Sequence, residues 1–286
     1  MRKLTAEPVV KKIYEGLKLE IAEFEKKSGR KPKLATVLVG HDQGSEIYVS
    51  KKAKTSLELG FGHSDIKLSE VTTEKELITA LSKLNADDTV DGILIQSPLP
   101  KQINAQKVFD LIDPQKDVDC FSPYNVGLLM QGRAQIKPCT PAGVIELLKH
   151  YQVTLAGKNA LVVGRSDIVG KPMAQLLLQE NATVTTAHSK TKDMNEHLRH
   201  ADIVVAAIGK PLFLNGSYSW KKDAVVIDVG INRILDSKKV VGDVDYTAVF
   251  PNVSAITPVP GGIGPMTIAM LMKNTLIAAK MRAFKR

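Results

Sequence analysis

Short apolar runs alternate with longer amphipathic stretches along almost the whole chain. Seven runs read as strands: LATVLV (34–39), GILIQ (92–96), ALVVG (160–164), ATVTTA (182–187), DIVVAAIG (202–209), AVVIDVG (224–230) and SAIT (254–257). Such β-rich runs between helical patterns predict βαβ units, and hence parallel sheet. The helical stretches carry their own punctuation. Thr73, followed three residues later by Glu76, makes a capping box ahead of LITALSKL. Thr140 and Pro141 offer an N-cap and a first-turn proline for AGVIELLKHY. Pro265 opens MTIAMLMKNTLIAAKMRAF, which runs for about five turns without a breaker. In GSEIYVSKKAKTSLELG, closed by Gly60, the residues Val49, Ala53 and Leu57 recur every four positions and are expected to face the core.

The polar stretch QGRAQIKPCT separates two αβ series, so a boundary is expected near Ile136–Thr140. The second series runs to about Gly264. The last helix, long and apolar, is expected to return to the first domain. A chain of 286 residues has room for two such domains.

Composition changes this picture little. Hydrophobic residues at 44% and charged residues at 24% exclude wholesale disorder. No apolar run approaches the roughly 18 residues of a membrane span, and MRKLTAEPVV shows no secretory signal. Two cysteines make no disulfide framework, which points to a reducing cytoplasm. Charge is more informative by place than by size. Residues 1–60 carry 13 Lys/Arg against 8 Asp/Glu, and residues 272–286 carry five cations and no acid, so the excess behind the net +9 sits at the two ends and the middle is near neutral. Solvated lysines on helix surfaces or a surface for a small polyanion both account for this. Nucleic acid is the weaker reading, because no basic motif is interleaved with aromatics, which are only 5%. His197 and His200 lack a third ligand nearby, so no metal site is expected.

ALVVG leads directly into RSDIVGKPMAQLLLQE. Strand, glycine turn and helix is the arrangement that lays a phosphate against a helix N-terminus. The glycines are Gly164 and Gly170, not the usual GxGxxG, and Pro172 stands near the helix start. A plain βα turn that needs small residues is the competing reading. The next strand separates the two. NAD-preferring folds put an acid at its end for the ribose 2′-hydroxyl. Here that place holds His188, Ser189 and Lys190, with Arg165 in the first turn and no acid before Asp193. Cations and hydroxyls suit a 2′-phosphate, so the cofactor expected is NADP.

Tyr48 and Lys52 lie four apart on one helix, so a phenol and an ammonium share a face beside the apolar stripe. Burial would lower the lysine pKa and let it exchange protons near neutrality. An ordinary surface helix carries such a pair just as readily. Gln96 ends a strand before a proline-rich turn, and DPQKDVDCFSPYNVG supplies Asp117 and Asp119, each equally readable as a turn or cap residue. TPVPGGIGPMT is rich in Gly and Pro before a helix, as a close ligand approach or a rigid connection would need.

Taken in order, SEIYVSKKAK, GILIQSPLP, KDVD, PCTPAG, VVGRSDIVGKPMA, ATVTTAHSKT, ADIVVAAIGKP, VVIDVGIN, VGDVD and TPVPGGIGPMT resemble the bifunctional methylene-tetrahydrofolate dehydrogenase/methenyl-tetrahydrofolate cyclohydrolase family. The resemblance spans nearly the whole chain. It implies an α/β protein of two αβ domains, the second a Rossmann-type parallel sheet, with the folate in a cleft between them. The catalytic domain would be residues 1–138 with the helix 265–286 packed back on it, and the NADP domain residues 139–264. Matching positions make Lys52 the catalytic lysine, place Tyr48 near the pterin, have Gln96 orient the lysine and have Asp119 grip the pterin, with Pro260 and Gly261 also at the substrate. Arg165 and Ser189 match positions that hold the 2′-phosphate. Ser166, Ile168 and Ile231 match positions lining the cofactor, and Gly164 and Gly170 shape the turn. The family implies a homodimer, and the cationic ends would favour folates with polyglutamate tails. Neither nucleic acid nor membrane is expected as a partner. Four positions depart from the family pattern: Cys120 in place of Gly, Leu128 in place of Arg, Ser97 in place of Leu and Ala187 in place of Cys. Cys120 and Cys139 read as plain thiols. An NADP-dependent dehydrogenase of another small substrate, or a relative without the hydrolytic step, is the second reading.

Overall fold

The computed structural model describes residues 1–234 and 239–284. Lys285 and Arg286, two of the cations at the C-terminal end, lie outside the described residues. In chain order the first part holds β1 (Arg2–Lys3), α1 (Glu7–Ser28), β2 (Lys33–Val39), α2 (Gln43–Leu59), β3 (Gly62–Leu68), α3 (Glu74–Ala86), β4 (Gly92–Ile95), α4 (Ala105–Phe109) and α5 (Pro123–Met130). Then come α6 (Cys139–His150), β5 (Asn159–Val163), α7 (Gly170–Gln179), β6 (Thr183–Ala187), α8 (Met194–His200), β7 (Ile203–Ala206) and β8 (Val225–Asp228). The chain ends with β9 (Asn232–Arg233), β10 (Val240–Val241), α9 (Tyr246–Val249), β11 (Ala255–Ile256) and α10 (Ile263–Ala283). It divides into two compact units: Lys12–Cys139 with Ile268–Arg286, and Met1–Lys11 with Thr140–Thr267.

The first of these units is built on a parallel sheet in the order β3-β2-β4. β2 is central and buried beyond its first residue. Its side chains Ala35, Val37 and Val39 pack with Leu77 and Leu81 of α3, Ile93 and Ile95 of β4, and Phe109 of α4. Each large aliphatic side chain sealed there contributes roughly 1.5–3 kcal/mol. The Thr73–Glu76 capping box starts α3 as expected. Its far end is closed by Lys116, whose Nζ donates to the carbonyls of Leu84 (2.9 Å), Asn85 (2.7 Å) and Asp87 (2.8 Å). That cation satisfies carbonyls a helix terminus leaves unpaired. The buried Asp91 accepts a forked pair from Arg30 at 2.7 Å each and also faces Arg282 of α10 at 3.4 Å. A charged clamp thus fixes the last helix within this unit. β3 is the strand that periodicity did not single out. Its sequence GHSDIKL is half exposed along its length, as an edge strand can be.

The second unit carries a six-stranded sheet in the order β1-β11-β8-β7-β5-β6, parallel throughout. β5 lies between β6 and β7, so the strand order reverses there, and open α/β sheets bind ligands beyond the carboxyl ends of the strands at such a point. The N-terminus enters this sheet, which differs from the expected start of the first domain at residue 1. Arg2 and Lys3 pair with Ala255 and Ile256, and the amide of Ala6 donates to the carbonyl of Gly261 at 2.9 Å. A two-residue strand is too short to show a period in the sequence.

Two local expectations are corrected. Thr140 does not cap α6, which begins one residue earlier at Cys139; its hydroxyl pairs with that of Thr267 at 2.9 Å. Leu57 does not face the core of its unit but is 62% exposed. The buried stripe of α2 is Ser45, Val49, Lys52, Ser56 and Leu59. This set follows the helical i, i+4, i+7 pattern, and two serines and a lysine stand where apolar residues were sought.

Candidate active site

The Asp42 carboxylate starts α2 by accepting the amide of Ser45 at 2.8 Å, and Gly60 ends the helix in the left-handed region at φ 96°. Between these ends Lys52 is directed inward and is only 8% exposed. Its Nζ donates to Oε1 of Gln96 at 2.9 Å. Gln96 follows β4, with its amide N–H on the carbonyl of Val37 (2.9 Å). Its side-chain Nε2 donates to the carbonyl of Ser97 at 2.7 Å, so the amide is turned with its oxygen toward the lysine. Tyr48, one turn before Lys52, is half-buried.

Asp119 arrives on the KDVD segment, which runs beside β4 through a bridge between Asp117 and Ile93. The four residues of this run have four different partners. Lys116 closes α3. Asp117 accepts the amides of Phe121 (3.0 Å) and Ser122 (2.8 Å) and the Asn125 side chain (2.9 Å), which fixes the start of α5. Val118 packs so close to Gly92 that a Cβ there would come within 2.7 Å of it. Asp119 keeps partial access to solvent. The residue that follows, Cys120, is buried and has φ 60°. This is the left-handed region, which favours glycine.

Burial pulls Lys52 and Asp119 toward their neutral forms. Desolvation pushes the Lys52 amine down, opposed by the charge of Asp119. It pushes the Asp119 carboxyl up, opposed by Lys52 and by a hydrogen bond with Cys139. An amine pulled down and a carboxyl pulled up differ less in proton affinity than the free groups do. Cys139 is therefore more than filler. Its Sγ–H reaches the Val118 carbonyl at 3.3 Å, its thiol is held far above the ordinary range by burial and by Asp119, and Nδ2 of Asn274 approaches its sulfur at 3.5 Å. The same Nδ2 donates to the carbonyls of Val118 (2.8 Å) and Lys137 (2.7 Å). Sequence reasoning missed both residues. The available signal was Asn274–Thr275, two polar residues that follow Lys273 between apolar runs of the last helix, and both are buried.

The nucleotide-type turn lies in the other unit. Gly164 has φ 131°, and a Cβ there would sit 2.0 Å from the carbonyl oxygen of Ala207 after β7. A Cβ on Gly170 would sit 2.4 Å from the carbonyl oxygen of Gly164. The turn therefore closes only with glycine at both places. Ser166 Oγ accepts the amides of Val169 (3.3 Å) and Gly170 (3.2 Å) at the start of α7, with Pro172 buried in the first turn. Arg165, Ser166 and Ile168 are exposed around this turn, Ser189 and Lys190 are exposed just after β6, and Ile231 is exposed after β8. All lie beyond the carboxyl ends of their strands. With basic and hydroxyl groups after β6 and no acid, the residues fit NADP. Pro260 and Gly261 precede α10 in this same unit, with Gly261 at φ 99°. The structure thus gathers Lys52, Gln96 and Asp119 in one unit and the cofactor residues with Pro260 and Gly261 in the other. Among the described residues no group of three His, Cys, Asp or Glu could hold a metal ion, and no helix is long and apolar enough to cross a membrane.

The family model for the tetrahydrofolate dehydrogenase/cyclohydrolase catalytic domain matches residues 4–119, and that for the NAD(P)-binding domain matches residues 138–283. The bifunctional protein FolD of Acetivibrio thermocellus is 56% identical over 272 residues, covering 95% of this chain and 94% of that one. The crystal structure of FolD from Campylobacter jejuni, described as a methylenetetrahydrofolate dehydrogenase/cyclohydrolase, superposes with a TM-score of 0.94 at 44% identity, covering 99% of each chain. That of the Trypanosoma brucei enzyme, complexed with NADP cofactor and inhibitor, has a TM-score of 0.93 at 38% identity over 97% of each chain. With both domain models matched in order and such relatives along its full length, the chain belongs to the tetrahydrofolate dehydrogenase/cyclohydrolase family.

Proposed function

We propose that Lys52, Gln96 and Asp119 carry the one-carbon chemistry of this chain. The chain oxidises 5,10-methylene-tetrahydrofolate to the 5,10-methenyl form with NADP and hydrolyses that product to 10-formyl-tetrahydrofolate. NADP supplies the hydride acceptor. Arg165 and Ser189 hold its 2′-phosphate, while the turn at Gly164 and Gly170, with Ser166, Ile168 and Ile231, receives the rest.

The oxidation asks for no strong base, so the protein's part in it is placement. Asp119 accepts the adjacent N–H donors of the pterin's 2-amino-4-oxo edge, and its partial exposure leaves it open to do so. Tyr48 stacks beside the ring. Hydrolysis consumes one water and releases one proton overall. Lys52 takes a proton as water adds to the methenyl carbon, then returns one to the ring nitrogen as its bond to that carbon breaks. Gln96 holds the amine in line, and the hydroxyl proton left on the adduct is released to solvent as the formyl C=O forms. The observation that supports this most is Lys52 itself: a lysine on the buried stripe of α2, 2.9 Å from an amide oxygen whose orientation a backbone carbonyl sets. Both cysteines are free and buried, which supports a cytoplasmic setting.

The test is one coupled assay. Protein, methylene-tetrahydrofolate and NADP are mixed, and NADPH and the methenyl intermediate are followed together. NADPH should form, and the methenyl absorbance should decay faster than without protein. Absence of NADPH, or decay at the uncatalysed rate, overturns the reading.

A further inference from the structure

Two buried carboxylates in the nucleotide-binding unit take no part in the chemistry above. Asp243 is completely buried and accepts four hydrogen bonds. Its Oδ2 receives the amides of Ile208 (2.6 Å) and Gly209 (2.9 Å), and its Oδ1 receives the amide of Lys210 (3.0 Å) and the side-chain Nδ2 of Asn232 (2.9 Å). Three consecutive backbone donors therefore converge on one carboxylate, with Gly209 at φ 71° to let them turn inward. Asp228, at the end of β8, completes the group. It accepts the amides of Gly230 (2.9 Å), Asp243 (3.0 Å) and Val244 (2.9 Å), while its own amide donates to Oγ1 of Thr257 (2.8 Å). The space for the two carboxylates is reserved by glycines. A Cβ on Gly230 would lie 2.3 Å from Oδ1 of Asp243, and one on Gly242 would lie 1.8 Å from Oδ2 of Asp228.

The segments tied together face the ligand end of the sheet. Residues 208–210 leave the carboxyl end of β7, and Gly209 and Lys210 are exposed although their amides are spent inward. The preceding residue, Ala207, has its carbonyl against Gly164 of the phosphate-type turn. Asn232 adjoins Ile231. A chain of three amides turned inward is itself an anion-binding concavity. Here an internal anion fills it, which leaves the β5–α7 turn free to take the phosphates. We propose that Asp243, backed by Asp228, is a positioning residue for NADP: it fixes the Ile208–Lys210 loop and the Ile231–Asn232 segment in the one arrangement that receives the cofactor. This rests on the reading that NADP occupies this end of the sheet.

The test uses Asp243→Asn and Asn232→Ala in the full chain, with two readouts: NADP affinity by calorimetry, and hydrolysis of methenyl-tetrahydrofolate, which consumes no NADP. Asp243→Asn turns an amide donor toward amide donors, and NADP binding should weaken about tenfold or more. Asn232→Ala leaves the three backbone donors in place and should weaken it about threefold. Hydrolysis should stay within about twofold of the unaltered protein in both. NADP affinities within about twofold of the unaltered protein, or affinity and hydrolysis falling in parallel as loss of fold produces, overturn the proposal. If Asp243→Asn does not fold, Asn232→Ala decides alone, and an unchanged affinity there overturns it. Failure of the unaltered chain to bind NADP counts instead against the cofactor assignment.

Discussion

The protein holds two buried polar clusters built on opposite principles. Around Lys52 the partners of each charged group are other side chains: an amide oxygen, a carboxyl and a thiol. Around Asp243 the partners are mostly backbone amides fixed in loops. A carboxylate whose oxygens are occupied by peptide donors holds geometry. A lysine held by side chains, with a carboxyl nearby, is the arrangement proposed here to pass a proton back and forth. The chain places the first kind under its nucleotide turn and the second kind where one-carbon chemistry is proposed. Whether a buried charge is a peg or a shuttle is thus read from what surrounds it.

The sharpest way to break the comparison is to remove the shuttle. Lys52→Met keeps the length of the side chain and loses the proton, so hydrolysis should fall by about 10²–10⁴-fold while NADP affinity is unchanged. The decay of methenyl absorbance measures it, and normal hydrolysis in the variant would end the assignment. Asp119→Asn should follow, weakening folate binding by about tenfold or more. It has a second signature. Asp119 raises the pKa of Lys52, so its neutralisation should move the lysine's limb of the hydrolysis pH profile to lower pH. A limb that moves upward contradicts the pairing.

Lys116 tests the contrast from the other side, as a buried lysine of the fixed kind. Lys116→Met removes three N–H donors from carbonyls at the end of α3 and should lower stability by about 2–4 kcal/mol in denaturant unfolding. Turnover of the folded protein should be unaltered, and a loss of turnover without loss of stability would erase the distinction. The smallest effect belongs to Asp228, whose carboxyl burial raises to about 6, helped by Asp243 and opposed by three amides. The sign is the reverse of the usual aspartate. Between about pH 4 and pH 6 the folded state holds a proton that the unfolded chain has lost, so this group adds stability as pH falls and contributes none above pH 6. The change in Tm from pH 7.5 to pH 5 should therefore be more favourable in the unaltered protein than in Asp228→Asn by a few degrees. Equal changes in the two refute the assignment.

Much of this was legible in residues alone, and the exceptions have physical causes. All seven apolar runs contain strands; six are largely buried, as parallel strands covered on both faces are, and β6 is a largely exposed edge strand of β-branched residues. β3 escaped notice as a polar edge strand, and β1 as a strand of two residues. In the stripe of α2, Val49 is buried as expected and Leu57 is not, because apolar spacing alone was followed. The inward face carries Ser45, Lys52 and Ser56, so the apolar rule that normally finds a core did not place Lys52 on it. In KDVD, residue type did not distinguish Asp117 from Asp119. The fold does so, by giving Asp117 two amides and an asparagine to hold. Cys139 and Asn274 lie far apart in sequence, and only the return of α10 to its unit brings them together.

The run from Lys116 to Asp119 also bears on how this chain can vary. Each of its side chains is moored to a different neighbour, and the backbone registers with β4 at Ile93. Exchange of one residue frees one mooring. Addition or removal of one residue would shift every mooring at once, withdrawing the cation from α3, the carboxylate from α5 and the acid from the lysine. Homologous chains should therefore differ here in letters and never in length.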